Sequence, residues 1–179
     1  MNQKKFLNEY SGQSIDELIK LEEEYRVDSI VYIIEKELKK KIKNQGKNSL
    51  NKEELILLSI FALEREVNNG GYDQFLRNSS NQYANIIIDS LKLISCPKTA
   101  DITREAFDAL NISGEITVQS IENTLFNVNE KRKSEIDKIL NKCDNKYYKR
   151  VESPTSRLFD YIKRNKDKIK LDPLESILF

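Results

Sequence analysis

The stretch that most constrains this chain is residues 55–63, where Leu55, Ile56, Leu57, Leu58, Ile60, Phe61, Ala62 and Leu63 leave Ser59 as the single polar position. A helix that is apolar all round has to be covered on all sides, so the run predicts a buried central helix over about 52–67. Its character then changes abruptly. Glu64, Arg65 and Glu66 bring charge, and Asn68-Asn69-Gly70-Gly71 predicts a helix end, because glycine and asparagine tolerate the left-handed backbone that closes a last turn. Tyr72-Asp73-Gln74-Phe75 follows. A core helix running into a polar and aromatic corner is the first place to look for function.

The remaining chain reads as helices arranged around that element. Ser14-Ile15-Asp16-Glu17 is a capping box opening a helix to about Tyr25. Val27, Ile30, Val31, Ile34, Leu38 and Ile42 recur at three- and four-residue steps and predict a second helix, capped by Asp28 and ended by Gly46. Its outer side is expected to carry Lys36, Lys39, Lys40, Lys41 and Lys43 as a solvated face, since no aromatic residues are interleaved for base stacking. Asn51-Lys52-Glu53-Glu54 is a second capping pattern, at the start of the central helix. A short helical turn is expected over 72–77. A helix capped by Ser79 or Ser80 then runs to Ile94, where Cys96-Pro97 stops it. Further helices are predicted over about 98–110, 117–126 and 130–148, with a last one from Pro154. In the 117–126 helix, Val118, Ile121, Leu125 and Phe126 are expected to face inward. The tail holds Ile169, Leu171, Leu174, Ile177, Leu178 and Phe179.

No stretch alternates apolar and polar residues cleanly, and no Asn-Gly or Asp-Gly turn separates β-branched runs. The predicted fold is therefore all-α. At 179 residues it is read as a single compact domain, with 1–12 loosely ordered.

Composition narrows the chemistry. There is no histidine, which removes the commonest general base and the commonest zinc ligand. The two cysteines, Cys96 and Cys143, fit no metal or redox spacing and are read as reduced thiols. No metal or cofactor is expected. Lys+Arg is 30 and Asp+Glu is 29, so the net charge of +1 gives no overall drive toward nucleic acid or anionic membrane. With no apolar run near the ~18 residues of a membrane span and none of signal-peptide form at the start, a cytoplasmic protein is expected.

The corner admits two readings. In one, Glu66, Asn68, Asn69, Gly70, Gly71, Tyr72, Gln74 and Asn78 form a binding site of amides, a stacking face and approachable backbone. In the other, the amides bond to the loop itself and Phe75 enters the core. Catalysis by Glu64, Glu66 and Asp73 is disfavoured, because positions two apart on a helix do not face each other.

The segment EREVNNGGYDQFLRNSSNQYANIIIDSLKLI resembles the core of a bacterial domain family of mostly unknown function that includes a DNA-mimic protein. The matching positions are Glu66, Val67, Asn68, Asn69, Gly70, Gly71, Tyr72, Gln74, Phe75, Asn78 and Ser79, and KILNKCDNKYYKRVESPTSRLFDYIKRN is similar to the family's closing segment. The resemblance covers roughly 50–166. It implies a mostly helical, non-enzymatic domain with a protein partner, acting as a regulator or inhibitor of a nucleic-acid-binding protein such as a transcription factor or a phage-defence effector. Direct binding of nucleic acid is not expected, and a homodimer is left open. The alternatives are a small-molecule binder or carboxylate-based enzyme centred on 66–78, and an assembly module without a regulatory role. A duplex mimic must match roughly one negative charge per 1.7 Å. At net +1 only one face could do so. The densest acidic run is Asp16, Glu17, Glu22, Glu23 and Glu24, which lies outside the matched segment and is read first as a solvated helix face.

Overall fold

The computed structural model describes residues 3–149 and 151–172. Among them are eight α-helices and no strand, so the fold is all-α as the missing alternation predicts. The chain divides into two compact units, Met1–Leu58 with Thr155–Phe179, and Ser59–Pro154. Among the described residues no helix is long and apolar enough to cross a membrane.

The first unit holds α1 (Ile15–Lys20), α2 (Val27–Gln45), the opening turns of α3 (Lys52–Arg77) and α8 (Pro154–Arg164). The Ser14 capping box forms: the Ser14 amide donates to Glu17 Oε2 at 2.7 Å, and the Glu17 amide donates back to Ser14 Oγ at 3.3 Å. The N-cap of α2 is Arg26 rather than Asp28, which sits in the first turn and pairs with the Arg26 guanidinium at 2.6 Å. Gly46 closes α2 at φ +85°, where a side chain would be strained. The lead-in is tied at two points, with the Arg26 amide donating to the Lys5 carbonyl and the Leu7 amide to Ser29 Oγ.

Along α2 the predicted stripe of Ile30, Val31, Ile34 and Leu38 is buried. One residue assigned to its outer face belongs inside. Lys41 is 7% exposed, and its ammonium donates to both carboxylate oxygens of Glu54, at 2.9 and 3.0 Å. The spacing explains this, since Lys41 stands three residues after Leu38 and so falls on the buried stripe. Glu54 is the fourth residue of the α3 capping box. Its carboxylate also accepts the amides of Asn51 (3.1 Å) and Lys170 (2.8 Å), while Lys41 donates to the Lys170 carbonyl at 3.1 Å. A helix cap and a buried ion pair thus hold the chain at residue 170. Ile169 beside it is buried, while Leu174, Ile177, Leu178 and Phe179 lie outside the described residues.

The second unit holds the rest of α3, α4 (Ala84–Leu93), α5 (Pro97–Asp108), α6 (Val118–Asn127) and α7 (Glu130–Tyr148). Ser79–Tyr83 is a 3-10 turn, so neither Ser79 nor Ser80 caps α4. Helix α5 packs against α4 and α7. Its N-terminus is capped from far along the chain: Glu152 accepts the amides of Lys98 (3.1 Å) and Thr99 (2.8 Å). Both cysteines are buried thiols, and burial pushes Cys143 up to about 11, which makes it a poor nucleophile. On α6, Ile121 and Leu125 are buried, but Val118 and Phe126 are exposed, Phe126 by 79%. Five residues of α-helix rotate ~140° from Ile121, at 3.6 residues per turn, which carries Phe126 off the inward face.

The apolar run of α3 is covered as expected: Ile56, Leu57, Leu58, Ile60, Leu63 and Val67 are at most 4% exposed. The first arm ends where the notable backbone begins.

Candidate functional site

Helix α3 is broken at two residues. Gly70 lies at φ −157°, ψ 20°, and Gly71 at φ +76°, ψ −173°. The Gly71 conformation is accessible in practice only to glycine. It lets the carboxylate of Asp144 approach so closely that a Cβ on Gly71 would stand 2.2 Å from Asp144 Oδ2. That carboxylate accepts the Tyr72 amide at 2.8 Å, and so does for the second arm of α3 what an N-cap side chain does for an ordinary helix. Burial raises the Asp144 pKa, against the pull of the Tyr72 amide. On the first arm, the Tyr148 hydroxyl donates to the Val67 carbonyl at 2.6 Å, and Asn68 Nδ2 to the Glu64 carbonyl at 2.6 Å.

The centre of the corner is Glu66, which is 6% exposed. Its Oε2 accepts from Gln74 Nε2 and Asn78 Nδ2, both at 2.8 Å, and its Oε1 from Ser80 Oγ at 2.8 Å and Arg65 Nη2 at 3.1 Å. Burial alone would raise its pKa. The hydrogen bonds from Gln74, Asn78, Ser80 and Arg65 outweigh that and hold it at about 2. One carboxylate therefore ties the first arm of α3 to the second arm and to the turn beyond it. Gly70 belongs to the same network. A Cβ there would stand 2.1 Å from Gln74 Oε1, so any side chain displaces the amide that Glu66 needs.

The proposed binding residues thus separate by environment. Glu66, Gln74 and Asn78 converge. Tyr72 is fully buried, with its hydroxyl 2.9 Å from Thr103 Oγ1 and its ring edge-on to Tyr147, so its face meets the core. Gly71 is buried, while Asn68, Asn69 and Gly70 stand exposed. Phe75 is fully buried and stacks on Phe107. Sequence reasoning missed Arg65, Ser80, Thr103 and Asp144. Ser80 carried a signal, as a serine two residues beyond Asn78, but it reads equally well as a helix cap. Asp144 stands 72 positions from Tyr72 and carried none.

Residues 48–165 match the model of the DMP19-like protein family, which is more than half of the chain. The chain belongs to the DMP19-like family. No curated protein and no solved structure matches it. In this DMP19-like chain the resembling motif is, in large part, the network just described. Glu66, Gln74 and Asn78 are its hydrogen-bonding members, Gly70 and Gly71 are the positions where a Cβ will not fit, and Val67, Tyr72 and Phe75 are core.

The acidic run of this DMP19-like chain lies in the first unit and is largely neutralised. Asp16 pairs with Lys166, Glu22 with Lys163 and Glu24 with Lys5, each at 2.5 Å. Glu17 serves the α1 cap, and Glu23 stands exposed. For this run to present a phosphate-like array, those three lysines would have to withdraw. Surface pairs of this kind are worth only ~0–1 kcal/mol, so a strongly basic partner could displace them.

A substitution tests the corner directly. Gly71→Ala is expected to lower stability by about 2–3 kcal/mol, from a backbone worth ~1–3 kcal/mol of strain plus displacement of Asp144 from the Tyr72 amide. Urea unfolding measures this. A loss under about 0.5 kcal/mol, the range of ordinary surface changes, would show that the corner yields freely.

Proposed function

We propose that this chain is a non-enzymatic protein-binding domain that regulates or inhibits a nucleic-acid-binding protein, such as a transcription factor or a phage-defence effector. The observation that carries this reading is membership of the DMP19-like family over 48–165. The corner supports it by what its acids are occupied with. Glu66 is anionic, held at about 2 and saturated with donors, which makes it a weak general base at neutral pH. Glu64 accepts the Tyr147 hydroxyl, and Asp73 pairs with Arg77 one turn on at 2.7 Å. The cavity beside Glu64 and Tyr147 has room for about 20 Å³, which is water-sized. A small-molecule site usually offers ~300 Å³ or more. This cavity lacks that size, although open clefts beside Lys92, Arg104 and Glu115, of about 360 Å³, and beside Tyr10 and Lys170, of about 380 Å³, reach it. The exposed edge at Asn68, Asn69 and Gly70 offers backbone and amides to a protein surface.

The test is capture followed by competition. The immobilised chain is exposed to extract of its own host, and retained proteins are identified by mass spectrometry. The expected capture is a nucleic-acid-binding protein whose DNA or RNA complex dissolves, in a mobility-shift titration, as the chain is added. Capture of no protein, or a partner whose nucleic-acid complex is undisturbed, would overturn the proposal.

A further inference from the structure

From residue 105 to residue 130 the chain contains Glu105, Asp108, Glu115, Glu122 and Glu130, and no lysine or arginine. Elsewhere on the second unit several acids are matched by a neighbour: Asp73 by Arg77, Asp89 by Lys92, Asp101 by Arg104 and Glu135 by Arg132. Among the described residues, Asp108, Glu115, Glu122 and Glu130 form no ion pair. Glu105 is paired with Lys142 and Lys146 of α7, and between it and Glu130 stands α6. Val118, Glu122 and Phe126 follow one another along it at four-residue steps, so they form a single ridge. All three are exposed, Val118 by 37% and Phe126 by 79%. The helix beneath is held in place, because Ile121 and Leu125 are buried and the Thr117–Ser120 capping box closes its N-terminus. A large ring held out in water on an anchored helix, with unmatched acids around it, is a preorganised contact surface.

We propose that the Val118–Glu122–Phe126 ridge docks a basic amphipathic helix of a protein partner. The charge favours a basic partner. Its lysines or arginines would meet Glu122 on the ridge and Glu115, which forms no ion pair among the described residues although Lys92 and Arg104 line the same cleft. Its apolar stripe would take up Phe126 and Val118. Ridges at four-residue spacing interdigitate with the like ridges of a second helix, so a helix fits here better than an extended strand. The assignment rests on the reading of the chain as a protein-binding regulator and names the surface and partner chemistry for it.

The experiment uses the full chain and a fluorescently labelled Leu/Lys amphipathic helix, with a Leu/Glu helix as counterpart, read by anisotropy. The Leu/Lys helix should bind, and more weakly as salt is raised. Phe126→Ser and Glu122→Lys should each weaken it by roughly tenfold or more, in the range of a contact at the centre of an interface. Lys138→Glu, an exposed position on α7, should change it by less than roughly twofold. Since all three positions are exposed, unchanged circular dichroism will show the variants folded. The proposal is overturned if the wild-type chain does not bind the Leu/Lys helix, if Phe126→Ser binds it equally, or if the Leu/Glu helix binds as well. A self-association of the free chain that Phe126→Ser abolishes in sedimentation would assign the ridge to a second copy and also overturn it. Host extract separates this inference from the function it rests on. If Phe126→Ser retains the partner the wild type captures, the ridge assignment fails alone, whereas capture of nothing by the wild type defeats the protein-binding reading.

Discussion

Lys41→Met is expected to destabilise the chain by about 3–5 kcal/mol, the cost of leaving a buried charge without its partner. Glu54 is fully buried, and two of the donors to its carboxylate come from the one ammonium. Without Lys41 the charge keeps only the amides of Asn51 and Lys170. The same change frees the Lys170 carbonyl and loosens the chain there. Lys41→Met with Glu54→Leu should be more stable than Lys41→Met alone, because it removes the stranded charge along with its partner, although the two amides then lose their acceptor. Urea unfolding of the three proteins reads these differences from the midpoints, provided the slopes agree. A loss below about 1 kcal/mol for the single variant, as for an exposed pair, would mean that water reaches Glu54.

Glu66→Gln should cost about 3 kcal/mol at neutral pH. The carboxylate is lowered from an ordinary value of 4.5 to about 2 by donors from Gln74, Asn78, Ser80 and Arg65. A shift of that size corresponds to roughly 1.4 kcal/mol per pKa unit of preference for the charged form. Glutamine keeps the volume but turns an amide group toward donors that need an acceptor. The sign with pH follows from the lowered pKa. The folded state holds the proton less tightly than the unfolded state, so the contribution is complete above about 4.5 and is lost as pH falls through about 2. The stability gap between wild type and Glu66→Gln should therefore narrow steadily across that interval and close near its lower end. Unfolding midpoints measured across the interval check it, and a gap that stays constant would show that the charge of Glu66 is not what the corner depends on.

These two carboxylates mark the limit of what local pattern conveys. The all-α class, the buried run at 55–63, the capping boxes at Ser14 and Asn51, and the bounds of α7 were legible, because each depends on residues within a turn or two of one another. Near-neighbour hydrogen bonds and helical periodicity are properties of the chain itself. The break at Gly70-Gly71 was legible for the same reason, since two glycines after two asparagines leave few other conformations.

Tertiary structure decided which acids are spent and which are free. Glu54 and Glu66 resemble surface glutamates in sequence, yet each is buried at the centre of donors drawn from several elements. Asp16, Glu22 and Glu24 resemble an acidic face, yet each carries a lysine, two of them from the far end of the chain. Phe126 looks like core, yet it stands in water on a ridge with unmatched acids. The reason is common to all of them. The fate of a charge or a ring depends on groups brought up by folding from tens of residues away, and a partner's distance along the chain carries no signal of its distance in space.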